Sequence, residues 1–229
     1  MSPPEGTVAA PATTAQRDAL TGAAQQLGLP ISESQVDQLL AYLALLQRWN
    51  GTYNLTAVRD PERMLTQHLA DCLAVVGPLR RQIGARAQTR LLDVGSGGGL
   101  PGAVIAILNA DVAVTCVDTV GKKAAFIQQV AGSLRLRNLQ AQHARVEQMK
   151  AERFDVITSR AFASLVDFTA LTRQHLADAG AWMAMKGKEP TDEIAALPAK
   201  VDVFHVEQLS VPGLDADRCI VWMRPGPSL

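Results

Sequence analysis

The apolar positions of this chain change their period once. Between residues 32 and 49, Val36, Leu39, Leu40, Leu43 and Leu46 recur three and four apart with polar residues between them. That spacing lays an apolar stripe along one helix, and Ser32 with Gln35 three residues later has the form of a capping box. A second helix is predicted over residues 61–76, with Asp60 as its cap and Pro61 at the first helical position, where an N–H has no intrahelical partner. Between the two helices, "RWNGTYNLTAVRD" reads as a polar loop carrying two aromatics.

Beyond residue 89 the rhythm shortens. Runs of β-branched and aliphatic residues fall at 90–94, 112–117, 139–142, 154–158 and 181–185, and helical patterns lie between them at 101–108, 122–134 and 165–176. Such alternation predicts a parallel sheet covered by helices on both faces. The last two runs, 203–210 and 218–223, have only the turn-rich "VPGLDAD" between them, which predicts an antiparallel pair at the sheet edge. The fold class is therefore α/β, a doubly wound and mostly parallel sheet. One domain is expected over 17–229, made of a helical extension (17–88) and an α/β core (89–229). Residues 1–16, rich in Pro, Ala and Thr, are expected to form a disordered tail.

Composition narrows the class. The 229 residues are 48% hydrophobic and 19% charged, an ordinary globular balance. No apolar run is long enough to span a bilayer, and the first residues lack the basic and hydrophobic regions of a secretory signal. Three widely spaced cysteines, Cys72, Cys116 and Cys219, suit neither a disulfide framework nor a zinc site. They suit a reducing cytoplasm, and no metal site is expected. Net charge is zero, which argues against strong non-specific nucleic-acid binding, but the charges are unevenly spread. No acid occurs over 72–92, where Arg80 and Arg81 lie, nor over 119–146, where Lys122 and Lys123 lie. These four, with Lys186 and Lys188 after the fifth core strand, are the candidates for a basic RNA-binding face.

The candidate chemistry centres on "LLDVGSGGGLPG", residues 91–102, which follows the first core strand and opens a helix. Its glycines let the backbone turn and come close to a ligand. In doubly wound sheets, ligands sit outside the carboxyl ends of the strands, at such a loop. The dinucleotide pattern G-x-G-x-x-G is not met, because its third glycine would fall on Leu100. The loop reads instead Asp93-x-Gly95-x-Gly97-x-Gly99, with a second acid, Asp118, ending the next strand. Asp93 is expected to meet an ammonium group and Asp118 a ribose diol. Two acids in those places favour S-adenosylmethionine over a nicotinamide dinucleotide.

The loop resembles the cofactor loop of class I methyltransferases, and the chain is more narrowly similar to the bacterial RsmG family, also called glucose-inhibited division protein B. "RWNGTYNLTAVRDPERMLTQHLADCLAV", "VDTVGKKAAFIQQV", "ARVEQM", "FDVITSRAFASL", "MKGKEP" and "VPGLDADRCIVW" carry the likeness, in the family's order. The resemblance implies a Rossmann-like fold and S-adenosylmethionine-dependent methylation of a guanine N7 in 16S rRNA, in the decoding-region loop of the small ribosomal subunit. It implies cofactor contacts at Gly95, Leu100, Val146, Glu147 and Arg160, with Arg160 near the methyl-transfer mouth. A cytoplasmic monomer is expected. Gly51 stands where the family often has lysine, which removes one RNA contact.

Guanine N7 carries a lone pair, so no catalytic base is expected. Consistent with this, "TSRAFAS" holds neither the Asn/Asp-Pro-Pro-aromatic tetrad of exocyclic-amine methylation nor the cysteine of carbon-5 methylation. His68 and Asp71, three apart on one predicted helix face, are either a pair at the site or a pair that orients the extension. Trp49 and Tyr53 either stack on bases or anchor their loop.

Overall fold

The computed structural model of the chain describes residues 12–86, 88–150, 153–160, 162 and 164–226. The helical extension begins with α1 (Thr14–Gln26) and α2 (Glu33–Tyr53). Both start in a capping box, Thr13 with Gln16 and Ser32 with Gln35, so two orphan amides at each start are satisfied by side chains. Helix α1 enters the stretch expected to be a tail; residues 1–11 lie outside the described residues.

Helix α2 runs four residues past the expected end at Trp49, into the segment read as a polar loop. Its inward face explains why. Trp49 is buried and packs on Phe126, with ring centroids 5.5 Å apart, and Tyr53 packs on Trp49 at 5.1 Å. Both aromatics anchor the helix to the core. Asn54 ends it in the left-handed region, at φ 50°.

The second expected helix is interrupted. It opens as α3 (Pro61–Met64), widens to a π-helical turn (Leu65–Ala70), and closes as α4 (Asp71–Leu73). The Asp60 side chain accepts the Arg63 amide at 2.8 Å, which is the cap its position predicts. A separate helix, α5 (Val76–Ile83), follows.

The core alternates as expected: β1 (Thr89–Val94), α6 (Gly102–Leu108), β2 (Val112–Asp118), α7 (Gly121–Ser133), β3 (Leu139–His143), a 3₁₀ turn (Val146–Gln148) and β4 (Phe154–Ser159). Next come α8 (Leu165–Thr172), a second 3₁₀ turn (Arg173–His175), β5 (Leu176–Lys186), α9 (Thr191–Ala195), β6 (Val201–Gln208) and β7 (Cys219–Pro225). The sheet order is β3-β2-β1-β4-β5-β7-β6, with β7 antiparallel to both neighbours and all other pairs parallel. Strand order reverses between β1 and β4, which is where a doubly wound sheet opens its ligand crevice.

Side-chain parity divides the core. Leu91, Val114 and Cys116 pack with α2, α6 and α7, whereas Leu92, Val94 and Val117 pack with Leu165 and Phe168 of α8. The extension belongs to the first of these layers rather than standing apart. Gln35 and Gln38 of α2 donate to Ile107 O at 3.3 Å and Leu134 O at 3.2 Å. No helix among the described residues is long and apolar enough to cross a membrane.

Candidate active site

Strand β1 delivers the glycine loop to the carboxyl edge of the sheet. Gly95 has φ +66°, in the region where an L side chain is strained, and a Cβ there would meet nothing within 4 Å. Gly97, at φ +58°, is equally open, but of the two only Gly95 lines the cavity in front of the loop. Gly102 serves the opposite purpose: a Cβ there would lie 2.4 Å from Cys116 Sγ and 2.8 Å from Asp93 Oδ2. The helical extension braces the loop from behind. Tyr42 of α2 is fully buried and its hydroxyl donates to Gly98 O at 2.7 Å.

The two acids take different roles. Asp118, at the end of β2, accepts the Gly97 amide on Oδ2 and the Val120 amide on Oδ1, each at 2.9 Å. Lys123 Nζ lies 3.8 Å from Oδ2. An ionised carboxylate has about four acceptor positions, so two amides leave capacity for a diol. Asp93 shares the parity of Leu91 and points beneath the loop. Its Oδ2 accepts the Gly102 amide at 2.9 Å and so caps α6; its Oδ1 has no partner among the described residues. Burial pushes this carboxyl up to about 7, against the opposing pull of the Gly102 amide and the Arg160 charge. Asp93, expected to meet an ammonium group, here bonds the start of α6 and does not line the cavity in front of the loop.

That cavity, of about 390 Å³, is walled by Gly95, Asp118, Lys123, Val146, Glu147 and Phe162, with Leu171 of α8 at its rim, 39% exposed. Val146 and Glu147 present the 3₁₀ turn after β3. The residues fit an adenosine: an acid for the diol, backbone without a side chain at Gly95, and an apolar slot for a flat base. Leu100 and Gly97 do not line it. The Leu100 side chain is buried in the core, and the Gly97 amide donates to Asp118.

A second cavity of about 390 Å³ opens at the ends of β4 and β5, lined by His68, Asp71, Arg160, Lys186 and Arg218. Arg160 is here and not in the first cavity, although Phe162, two residues on, lines the first. Asp71 is its hub, accepting from Arg218 Nε at 2.8 Å and from Arg160 at 3.4 Å. Arg160 also donates to Gln67 O at 3.3 Å. His68 sits on the π-helical turn, a feature that often marks functional sites. Its Nε2 is 2.8 Å from Thr56 Oγ1 and its Nδ1 3.1 Å from Gln67 O. A carbonyl only accepts, so Nδ1 carries the proton and Thr56 donates to Nε2. Burial, then the Arg160 charge, lowers this imidazole to about 4.

The proposed basic face is redistributed. Arg80 donates to Asn109 Oδ1 and Leu108 O, both at 2.8 Å, which ties α5 to the end of α6 farthest from the glycine loop. Arg81 pairs with Glu207. Lys186 is held by both oxygens of Glu193, at 2.9 and 2.8 Å. Lys123 belongs to the first cavity beside Asp118, while Lys122 is half-buried at the start of α7 and Lys188 is exposed. Sequence reasoning did not find Tyr42, Phe162 or Arg218. Only Phe162 had a local signal, two residues after Arg160; Arg218 lies 147 residues from its partner Asp71.

The family model described as rRNA small subunit methyltransferase G matches residues 35–221. A protein of Leptothrix cholodnii bearing the name ribosomal RNA small subunit methyltransferase G is 64% identical over 209 residues, covering 91% of this chain and 95% of the relative. One of Acidovorax ebreus with the same name is 63% identical over 219 residues, covering 93% and 96%. The chain belongs to the rRNA small subunit methyltransferase G family. Solved structures agree on the fold. The N-methyltransferase NodS of Bradyrhizobium japonicum, in complex with S-adenosyl-L-homocysteine, aligns with a TM-score of 0.55 at 16% identity, over 78% of this chain and 98% of that one. A SAM-dependent methyltransferase of Aquifex aeolicus aligns with the same TM-score at 14% identity, over 74% and 96%. The methyltransferase G family thus has in this member the class I architecture that parity and strand order describe above.

Proposed function

We propose that this chain transfers a methyl group from S-adenosylmethionine to N7 of a guanine in 16S rRNA, in the decoding-region loop of the small ribosomal subunit. The observation that carries the reading is a pair of cavities at one edge of the sheet. The first fits an adenosine, and the second is rimmed by Arg160, Arg218 and Lys186. Family membership supports the rRNA substrate, and the motif resemblance supports the N7 target.

When bound, S-adenosylmethionine supplies an electrophilic methyl group on a positively charged sulfur. Asp118 would accept the ribose hydroxyls, and the Val146–Glu147 turn and Phe162 would hold the adenine. Gly95 would give the cofactor room against the loop, while Leu100, Gly97 and the capping carboxyl of Asp93 hold that loop in shape. Arg160, tied to Asp71, belongs to the RNA side of the mouth, where with Arg218 it meets phosphate. Lys188, two residues past Lys186, extends this basic surface, whereas Lys122 lies at the start of α7, beside the first cavity's Lys123. The N7 lone pair is free at neutral pH, so attack requires no deprotonation, and catalysis rests on positioning and electrostatics. His68 suits such a site: at neutral pH its ring is uncharged, and its lone pair faces Thr56 rather than a substrate. A cytoplasmic location is in keeping with three unpaired, buried thiols, and the enzyme is proposed to act as a monomer.

Incubating the protein with methyl-labelled S-adenosylmethionine and either 30S particles or naked 16S rRNA tests this directly. One labelled 7-methylguanine, identified by mass spectrometry, is the expected product. Tight RNA binding without incorporation would make the chain a binding protein, and label on any other atom would displace N7.

A further inference from the structure

The 3₁₀ turn that borders the first cavity is short and poorly supported by its own backbone. Within it, Gln148 N donates to Arg145 O at 3.0 Å and Met149 N to Val146 O at 3.2 Å. Three-residue 3₁₀ turns have strained hydrogen-bond geometry and depend on neighbours. The neighbour here is the second 3₁₀ turn, after α8. His175 is 2% exposed and its Nε2 lies 2.7 Å from Val146 O. The carbonyl can only accept, so Nε2 carries the proton and donates it. Gln174 adds its amide to Glu147 O at 3.0 Å. The amide nitrogen also lies 3.2 Å from His175 Nε2, but both are donors, so their protons go to the two carbonyls and not to each other. Nδ1 of His175 has no partner among the described residues, so the ring is held by the Val146 bond alone.

We infer that His175, assisted by Gln174, is a positioning residue for cofactor binding: it clasps the backbone of Val146 and Glu147 and fixes the wall against which the adenine lies. The inference rests on the proposed cofactor site and adds a residue that never touches the cofactor. It acts through two carbonyls whose residues line the cavity, while the clasp itself lies behind the wall. Removing it leaves Val146 O with only the longer bond from Met149 N, takes away the turn's buried tie to the rest of the fold, and frees it to shift. The RNA-side cavity shares no residue with the clasp.

The test is calorimetric binding of S-adenosylhomocysteine and of adenosine to the wild type, His175→Ala and His175→Gln, with RNA affinity measured alongside. Glutamine carries an amide donor at the reach of Nε2. His175→Ala is expected to weaken S-adenosylhomocysteine about tenfold, and adenosine by the same factor, with RNA affinity within twofold. His175→Gln is expected to recover most of the loss. Unchanged affinity in a folded Ala variant overturns the inference, as does a loss glutamine does not restore, or one adenosine does not share. Should His175→Ala fail to fold, Gln174→Ala, which removes only the exposed half of the clasp, is expected to weaken both ligands about threefold. No change in that variant overturns the inference equally. A wild type that binds neither ligand refutes the cofactor site itself, which separates that failure from failure of the clasp.

Discussion

One cavity takes its wall from the ends of consecutive strands: Gly95 after β1, Asp118 and Lys123 from the end of β2 onward, and Val146 and Glu147 after β3. The other draws on the π-helical turn of the extension, the end of β4, the end of β5 and the residue before β7. The first holds its acid against backbone amides; the second gathers two arginines on one carboxylate. A site built by one strand-loop-helix unit after another is written locally. A site built by chain crossings exists only once the sheet order is set. If the two cavities divide cofactor from RNA, each can be damaged without the other.

The largest separation is expected from Gly95→Val. The residue has φ +66° and opens on the cavity, so the new side chain is strained and stands where the cofactor lies. Affinity for S-adenosylhomocysteine should fall more than about a hundredfold with RNA binding retained. Unchanged calorimetric affinity in a folded variant would remove the first cavity from the account. Asp118→Ala comes next. A charge-assisted hydrogen bond contributes about 1.5–3 kcal/mol, so the loss should be about ten- to a hundredfold. A change below about twofold would place the ribose elsewhere.

Asp71→Ala probes the other side. Arg160 and Arg218 lose their shared partner, and kcat/KM for RNA should fall about tenfold while cofactor affinity stays within twofold. A matching loss of cofactor affinity would mean that the cavities are one site.

The smallest effect is a cancellation in stability. His68 falls from 6.5 to about 4 on folding, so the unfolded chain binds its proton first as pH drops. Its contribution is full above pH 6.5 and is lost toward pH 4. Asp93 rises from 3.8 to about 7, so the folded chain keeps its proton longer, and that contribution is full below pH 3.8 and lost toward pH 7. Each is of the order of 3 kcal/mol, and across pH 4–6.5 the slopes oppose. Urea unfolding of Asp93→Asn should therefore show stability rising with pH through that window more steeply than in the wild type. Equal slopes would contradict the buried, uncharged carboxyl.

The first cavity was partly legible because its glycine and its acid each had a local signal. Gly95 after an apolar run and Asp118 ending the next run fall in its wall, and Val146 and Glu147, expected there only from the family resemblance, fall in it too. The place of Asp93 was not legible from its distance to the first glycine, because its parity decides where it points. Counting in twos from Leu91 directs it beneath the loop, toward Gly102 and Cys116. The helix end at Tyr53 was missed because Asn50 and Gly51 look like loop residues. In the fold Asn50 is buried, donating to Val58 O and accepting from Thr56 N, so its polarity is used inside. Arg80 and Arg81 looked like a basic face because their partners, Asn109 and Glu207, lie far away in the chain. Charge runs locate cations but not the acceptors that folding brings to them.

We propose that a guanine N7, presented from the second cavity, takes the methyl group of a cofactor bound in the first. This is tested most directly by a substrate altered in one atom. RNA carrying a single 7-deazaguanine at the target keeps its pairing edge and shape but has carbon in place of N7. It should bind as the unmodified RNA does, because backbone and shape recognition are retained, and accept no methyl group. Normal turnover on the deaza substrate would contradict the account.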